Sequence, residues 1–442
     1  MGSDTSLDYC ELTDIGRRRA SNQDSKAVLT PLSGEQYRRR GWLFVVADGM
    51  GAHAAGELAS AMAVEHVPLV YEKLAARSPP RALDASIRQA HAVIHERGEN
   101  AADLKGMGTT CTALALVPRG AIVGHVGDSR AYRIRGGSID QLSRDHSLSW
   151  ELAGQRTPGV DEPVPKNIIT RSVGPQLRID VDVEGPFAVQ AGDVFVLCTD
   201  GLSGQVADAE IGLIAGGLPP DAAAAALVGL TLVRGAPDNV TVIVVRAGEK
   251  EESHTSPGDP PWPLTDETAT PTPQPIPVRL LAGAAAGLLM ALVFNPWSGL
   301  MAKDGGVGGL LGDLAFPLAC VISITMVVLF ISCLLSAVLS FFPTSTGPVR
   351  VLPVGARLGS GPYRTYDCTP SADLVEGIVA SVETAADGLS PREREKLLVA
   401  VAGARSRITA NDWSAALRGA ADALAVYRRS IEAARGDDTA RG

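Results

Sequence analysis

No two cysteines in the 442-residue sequence are spaced as CxxC, and the six present do not suggest a disulfide framework. Cys10, Cys111, Cys198 and Cys368 lie far apart, while Cys320 and Cys333 sit inside an apolar run. A structural zinc site is thereby excluded, and a reducing compartment is expected for the soluble parts. Long basic runs are missing too: the triplets Arg17–Arg19 and Arg38–Arg40 stop at three residues. With a net charge of -9 the chain lacks a basic face for phosphate backbones, so nucleic acid is excluded as a main partner. The opening Met-Gly-Ser-Asp-Thr-Ser has neither the basic start nor the apolar core of a secretory signal. No repeat of solenoid length is present.

What is there is ample core material, with 45% apolar and 20% charged residues, on a length that suits roughly two to four domains. The mean hydropathy is slightly positive, and the excess is concentrated in residues 278–342, which are almost free of charge. Residues 1–248 read as a first domain, in which apolar runs alternate with turn residues in the manner of a globular α/β-type unit. Residues 249–277 are rich in Pro, Thr and acidic side chains, which cannot bury a core, so an extended, disordered linker is expected.

Two apolar runs follow, 278–294 and 314–342, and the second is longer than the roughly 20 residues a membrane helix needs. Arg279 precedes the first run, and Arg350, Arg357 and Arg364 follow the second. A two-helix membrane hairpin with both flanks in the cytoplasm is therefore expected. A single span with the first run at the interface and a buried core hairpin of a soluble domain are the other arrangements. After a further linker (343–369), residues 370–436 read as a small cytosolic helical tail. Ser390-Pro391-Arg392-Glu393 has the form of a capping box. Trp413, Leu417, Ala420, Leu424, Tyr427 and Ile431 follow helical spacing, and Leu374, Ile378 and Val382 suggest an earlier helix.

The chemistry is concentrated in the first domain. Leu43–Ala47 runs into Asp48-Gly49, Ile122–Gly127 into Asp128-Ser129, and Val194–Thr199 into Asp200-Gly201; Asp238-Asn239 instead opens the run Val240–Val245. Short β-branched runs of this kind predict buried strands. In antiparallel pairing the end of one strand lies beside the start of its neighbour, so these carboxylates, joined by Asp24, can converge on one rim. Packed carboxylates repel, and a shared site calls for a compensating cation. Oxygen-only ligands favour Mg²⁺ or Mn²⁺ over zinc. The glycines after Asp48 and Asp200 are expected to let backbone and solvent approach the ions.

In chain order the sequence carries Arg19-Ala-Ser-Asn22-Gln23-Asp24, then Asp48-Gly-Met-Gly-Ala-His-Ala-Ala-Gly-Glu57, then Gly108-Thr109-Thr110. Gly127-Asp128-Ser129-Arg130, Asp200-Gly201-Leu202 and Asp238-Asn239-Val240-Thr241 follow. This ordered set resembles the metal-dependent protein Ser/Thr phosphatases of the type 2C class in their bacterial form, over about residues 13–246. The resemblance implies an α+β fold of two stacked antiparallel β-sheets flanked by α-helices, here followed by transmembrane helices and the helical tail. It further implies two core Mn²⁺ or Mg²⁺ ions and a third, weaker one. Asp48 would bridge the core pair, with the Gly49 carbonyl as a further ligand. Asp200 and Asp238 would hold the first ion, Asp24 the second through water, and Asp128 with Asp200 the third. Arg19 would grip the substrate phosphate, a metal-activated water would attack it, and His53 is a candidate proton donor to the leaving oxygen.

The implied partners are phosphorylated proteins near a membrane, including Ser/Thr kinases and their substrates. Two departures stand out. Gln23 replaces a usual Glu, which removes a charge and is expected to weaken the second ion while keeping the geometry. Ala52 replaces a usual Gly. His146 is read as structural, and 147–167 as a substrate-selecting flap. A rival reading is an inert metal-binding scaffold that presents the helical tail.

Overall fold

The computed structural model describes residues 7–51, 55–74, 76–153, 168–256, 258–265 and 350–439. The runs that end in aspartate all form strands. One sheet has the order β2 (Asp24–Leu29), β3 (Trp42–Met50), β5 (Cys111–Val117), β6 (Gly120–Val126), β9 (Asp182–Phe187), with β4 (Gly108–Thr109) beside the end of β3. The other has the order β1 (Asp8–Asp14), β11 (Val240–Arg246), β10 (Val194–Cys198), β7 (Arg130–Arg135), β8 (Ser138–Gln141), β14 (Arg364–Asp367). Every pairing in both is antiparallel.

Alternation along each strand explains the unbroken apolar runs. Phe44 and Val46 of β3 meet Phe195, Leu197, Ile243 and Val245 between the sheets. Their neighbours Leu43, Val45 and Ala47 pack outward beneath helices, in a cluster with Ala59, Val67 and Ile87. Strands covered on both faces have no polar side to show. The first sheet is covered by α2 (Ala55–Lys73) and α3 (Pro79–Asn100), and the second by α6 (Asp208–Gly217) and α7 (Pro220–Val233). Shorter helices are α1 (Gly34–Arg40), α4 (Leu148–Ala153) and α5 (Asp200–Ser203). The architecture is the expected α+β stack.

The tail forms α8 (Ala372–Ala385), α9 (Pro391–Thr409) and α10 (Trp413–Thr439). Ser390 caps α9 as its spacing predicts: its hydroxyl accepts from the Glu393 amide and donates to the Glu393 carboxylate at 2.6 Å. The tail is not a module standing apart. Ile378, Val382, Leu397, Leu417 and Leu424 share one core with Leu227 and Leu230 of α7 and Val242 and Val244 of β11.

Segments expected as linkers also carry structure. Trp262–Pro263 (β12) pairs with Val351–Leu352 (β13), the Arg119 guanidinium lies over the Trp262 ring at 3.9 Å, and β14 completes the second sheet beside β8. A composition too polar for a core of its own still docks through main-chain bonds and single aromatic contacts. Among the described residues no helix is long and apolar enough to cross a membrane, and both expected spans, 278–294 and 314–342, lie outside the described residues.

Candidate active site

Register brings the carboxylates together. Asp24, first residue of β2, pairs directly with Asp48 near the end of β3. Asp200 follows β10, Asp238 precedes the neighbouring antiparallel β11, and Asp128 follows β6. The expected convergence on one rim is therefore present for all five aspartates.

The remaining motif residues hold this rim in place. The Asp48 amide donates to Thr110 Oγ1 at 2.8 Å, and the Asp48 carbonyl accepts from the Thr110 amide and Thr109 Oγ1, both at 2.9 Å. Thr199 Oγ1 donates to Asp24 Oδ2 at 2.8 Å and accepts from the Thr241 amide at 3.0 Å. Asn239 pins the loop behind Arg19: its Oδ1 accepts from the Gln23 amide at 2.9 Å, and its Nδ2 donates to the carbonyls of Ile15 and Ser21. Arg19 Nη2 donates to Asp238 Oδ2 at 2.7 Å, which places the expected phosphate-gripping side chain on the rim. His146 is buried, with Nδ1 accepting from the Gly127 amide and Nε2 facing Asp182 Oδ2 at 2.9 Å, so it braces the turn before Asp128. Its structural reading fits this geometry.

The glycines after Asp48 and Asp200 also meet a packing demand. A Cβ on Gly49 would lie 2.1 Å from the Gly56 carbonyl oxygen, and one on Gly201 would lie 1.8 Å from that of Asn239. They are required by backbone packing against α2 and against the Asp238-Asn239 turn. His53 and Ala52 lie outside the described residues, as does 154–167 of the expected flap.

Burial lifts the Asp24 carboxyl to about 7, against hydrogen bonds from Thr199 and Thr241 and with repulsion from Asp200 and Asp238. Asp128 is likewise pushed up to about 7 by burial and by Asp200 and Asp145. Asp48 rises well above the carboxylate range through burial and its proximity to Asp24 and Asp200, and Asp200 rises through burial and Asp238.

This donor set fits a hard divalent cation. Asp24 Oδ1, Asp128 Oδ1 and Asp200 Oδ1 are buried with no hydrogen-bond partner, an arrangement that costs stability unless something compensates it. Among the described residues no three Asp, Glu, His or Cys groups enclose an ion as they stand. Asp24 turns one oxygen to Thr199, and Asp238 turns one to Arg19.

A stability prediction follows. Carboxyls whose folded pKa lies near 7 keep protons that the unfolded chain has already released, so with chelator present their contribution is full below about pH 4 and is lost as pH rises through about 7. Mn²⁺ competes with those protons. It is expected to raise the melting temperature by roughly 5–10 °C at saturation, and by clearly more near pH 8 than near pH 6. Melting curves with Mn²⁺ and with chelator at both pH values check this; equal shifts would contradict it.

A cleft of about 580 Å³ opens at the rim, lined among others by Asp128, Asp200, Asp238, Arg130, Ser147 and Arg364. Sequence reasoning assigned no role to Arg130, although it lay in a quoted motif. It is half-buried and committed to Asp145 through a bidentate fork, and to Asp208 and Tyr132. Arg364 was read only as a charge flanking the apolar run. The unbroken run of residues from β8 to Ser147 gave no hint that a segment beyond residue 350 would complete the cleft.

Residues 17–216 match the family model described as Protein phosphatase 2C. The protein phosphatase PhpP of Streptococcus pneumoniae is 36% identical over 258 residues, covering 54% of this chain and 97% of that protein. The serine/threonine protein phosphatase PstP of Mycobacterium tuberculosis is 34% identical over 256 residues, covering 57% of this chain and 47% of that one. The solved catalytic domain of PstP in complex with two manganese ions is 32% identical, with 55% of this chain and 99% of that one covered and a TM-score of 0.46.

Proposed function

Because the chain belongs to the protein phosphatase 2C family, we propose that it removes phosphate from phosphoserine and phosphothreonine in proteins at the aspartate rim, while tethered to a membrane. It is a protein Ser/Thr phosphatase, and its cofactor is Mn²⁺ or Mg²⁺. The observation that carries the site assignment is the trio of buried, partnerless carboxylate oxygens on Asp24, Asp128 and Asp200.

Asp24, Asp48, Asp128, Asp200, Asp238 and the Gly49 carbonyl would hold the ions. Bound there, the metal supplies positive charge for the phosphoryl oxygens and makes a coordinated water acidic enough to react near neutral pH. Arg19 exchanges Asp238 for the substrate phosphate, and its planar fork suits two phosphoryl oxygens at once. Thr109, Thr110 and Thr199 fix the carboxylates so that little reorganisation is left for the reaction. His53 is the proposed donor of a proton to the departing serine or threonine oxygen. The sequence has no CxxxxxR loop, so a cysteinyl-phosphate route is not available. An inert scaffold is the less favoured reading, since all five aspartates are in place on the rim.

The tether rests on the uncharged run 314–342 and the arginines beyond it. Proximity to a membrane would favour membrane-bound Ser/Thr kinases and their substrates as partners. Two experiments test the proposal. With Mn²⁺, the full chain is expected to act on phosphoserine and phosphothreonine peptides and far more slowly on phosphotyrosine peptides; the opposite order would overturn it. In cells the full chain is expected to stay with carbonate-washed membranes, and a deletion of 278–342 to become soluble. If both forms partition alike, the tether is wrong.

A further inference from the structure

One wall of the cleft comes from a segment far outside the part matched to the family. Arg364 opens β14, and its guanidinium carbon lies 3.8 Å from the centroid of the Trp150 ring in α4. Tyr363 meets the same ring edge-on at 6.3 Å.

The segment is tied down along its length. Gly185 and Leu358 exchange two main-chain bonds, of 3.1 and 2.6 Å. The Gly361 amide donates to Glu184 Oε2 at 3.0 Å, the Tyr363 hydroxyl to Glu184 Oε1 at 2.5 Å, and the Tyr363 amide to the Gln141 carbonyl at 2.8 Å. Beyond that, β14 pairs with β8 from Arg364 opposite Gln141 to Asp367 opposite Ser138. Arg364 is thus presented from a strand.

The two arginines of the cleft differ in what they hold. Arg130 is neutralised by Asp145 and Asp208. Arg364 is half-buried, and among the described residues it forms no ion pair; its guanidinium lies over the Trp150 face. A guanidinium held over a ring face can still offer N–H groups to an oxyanion, and its fixed pose lowers the entropy lost on binding.

We propose that Arg364 is a specificity residue that reads an anionic group, a carboxylate or a second phosphoryl group, flanking the phosphorylated residue of the substrate. The inference rests on the phosphatase reading and adds a substrate class to it: phosphopeptides with acidic or doubly phosphorylated flanks. Trp150 is the positioning residue that holds the guanidinium against the cleft wall.

The test uses the full chain with Mn²⁺ and four substrates. These are p-nitrophenyl phosphate and three phosphothreonine peptides, flanked by neutral residues, by glutamate, or by a second phosphothreonine. Arg364→Ala is expected to lose about tenfold in kcat/KM, mainly through KM, on whichever anionic peptide Arg364 reads, with p-nitrophenyl phosphate and the neutral peptide changed by less than about twofold. The glutamate and phosphothreonine arms identify which anion is read. Arg364→Lys, which keeps the charge on the same strand, is expected to recover part of the loss. Arg364→Glu is expected to reverse the preference between anionic and neutral peptides.

An equal loss on all four substrates would assign Arg364 to the general field of the cleft or to folding and would overturn the inference, as would no loss on any. A wild-type protein inert to all four would overturn the phosphatase reading, and this inference with it.

Discussion

Asp48→Asn is expected to lower kcat/KM on a phosphothreonine peptide by about 10³-fold or more, because it removes charge where compensation is most concentrated. Asp48 is half-buried and pairs with Asp24 across β2 and β3, with Asp200 and Asp128 also close enough to raise its pKa. The substitution leaves the local backbone intact, since Asp48 is fixed through its amide and carbonyl by Thr109 and Thr110. Its effect on stability should have the opposite sign. Burial and the neighbouring carboxylates of Asp24 and Asp200 disfavour a charge at Asp48, and an asparagine carries none. In chelator the variant should therefore melt a few degrees higher than wild type. The combination of lost activity and gained metal-free stability separates a functional carboxylate from a structural one. Activity within about tenfold of wild type would remove Asp48 from the site.

Loss of the tail is expected to have the largest structural effect. The α7 sequence, Pro220–Val233, is apolar on every side, and a helix of that composition is stable in water only if both faces are covered. The sheet covers one face. On the other, a Cβ at Gly229 would lie 3.1 Å from Leu424 Cβ, and Leu417 fits against Gly217 of α6 in the same way. Leu424→Ala is expected to cost about 2–5 kcal/mol, the range for a large buried side chain cut back in a packed core. A chain ending at 264 leaves the outer face of α7 bare, and it should aggregate or bind a hydrophobic dye where the full chain does neither. Activity should suffer as well. Tyr427 accepts a hydrogen bond from Arg17, and Arg435 clasps Asp14 and the Gly16 carbonyl, so α10 braces the loop that carries Arg19. A soluble shortened chain with an unchanged melting temperature would show that the tail is an independent module.

How much of this was legible in the sequence differs from part to part. The strands and the rim were readable because an apolar β-branched run ending at an aspartate states both where a strand is buried and where it stops. Docking of the tail was readable in principle from α7, whose unbroken apolar sequence needs two partners, although the tail's own amphipathic helices were as consistent with a free bundle. The role of Gly49 and Gly201 was not readable, because the atoms that exclude a Cβ there, Gly56 O and Asn239 O, belong to other turns. Arg364 was the least legible. Its position depends on β14 pairing with β8 across more than two hundred residues, and the composition of 343–369 suggested no strand.

The most direct measurement is phosphate release from a phosphothreonine peptide by the full chain, stripped of metal with chelator and then titrated with Mn²⁺. The expected result is no turnover in chelator and a saturable return of activity as Mn²⁺ is added. Undiminished turnover in chelator, with the protein shown to be metal-free, would contradict a metal-dependent phosphatase centred on these aspartates.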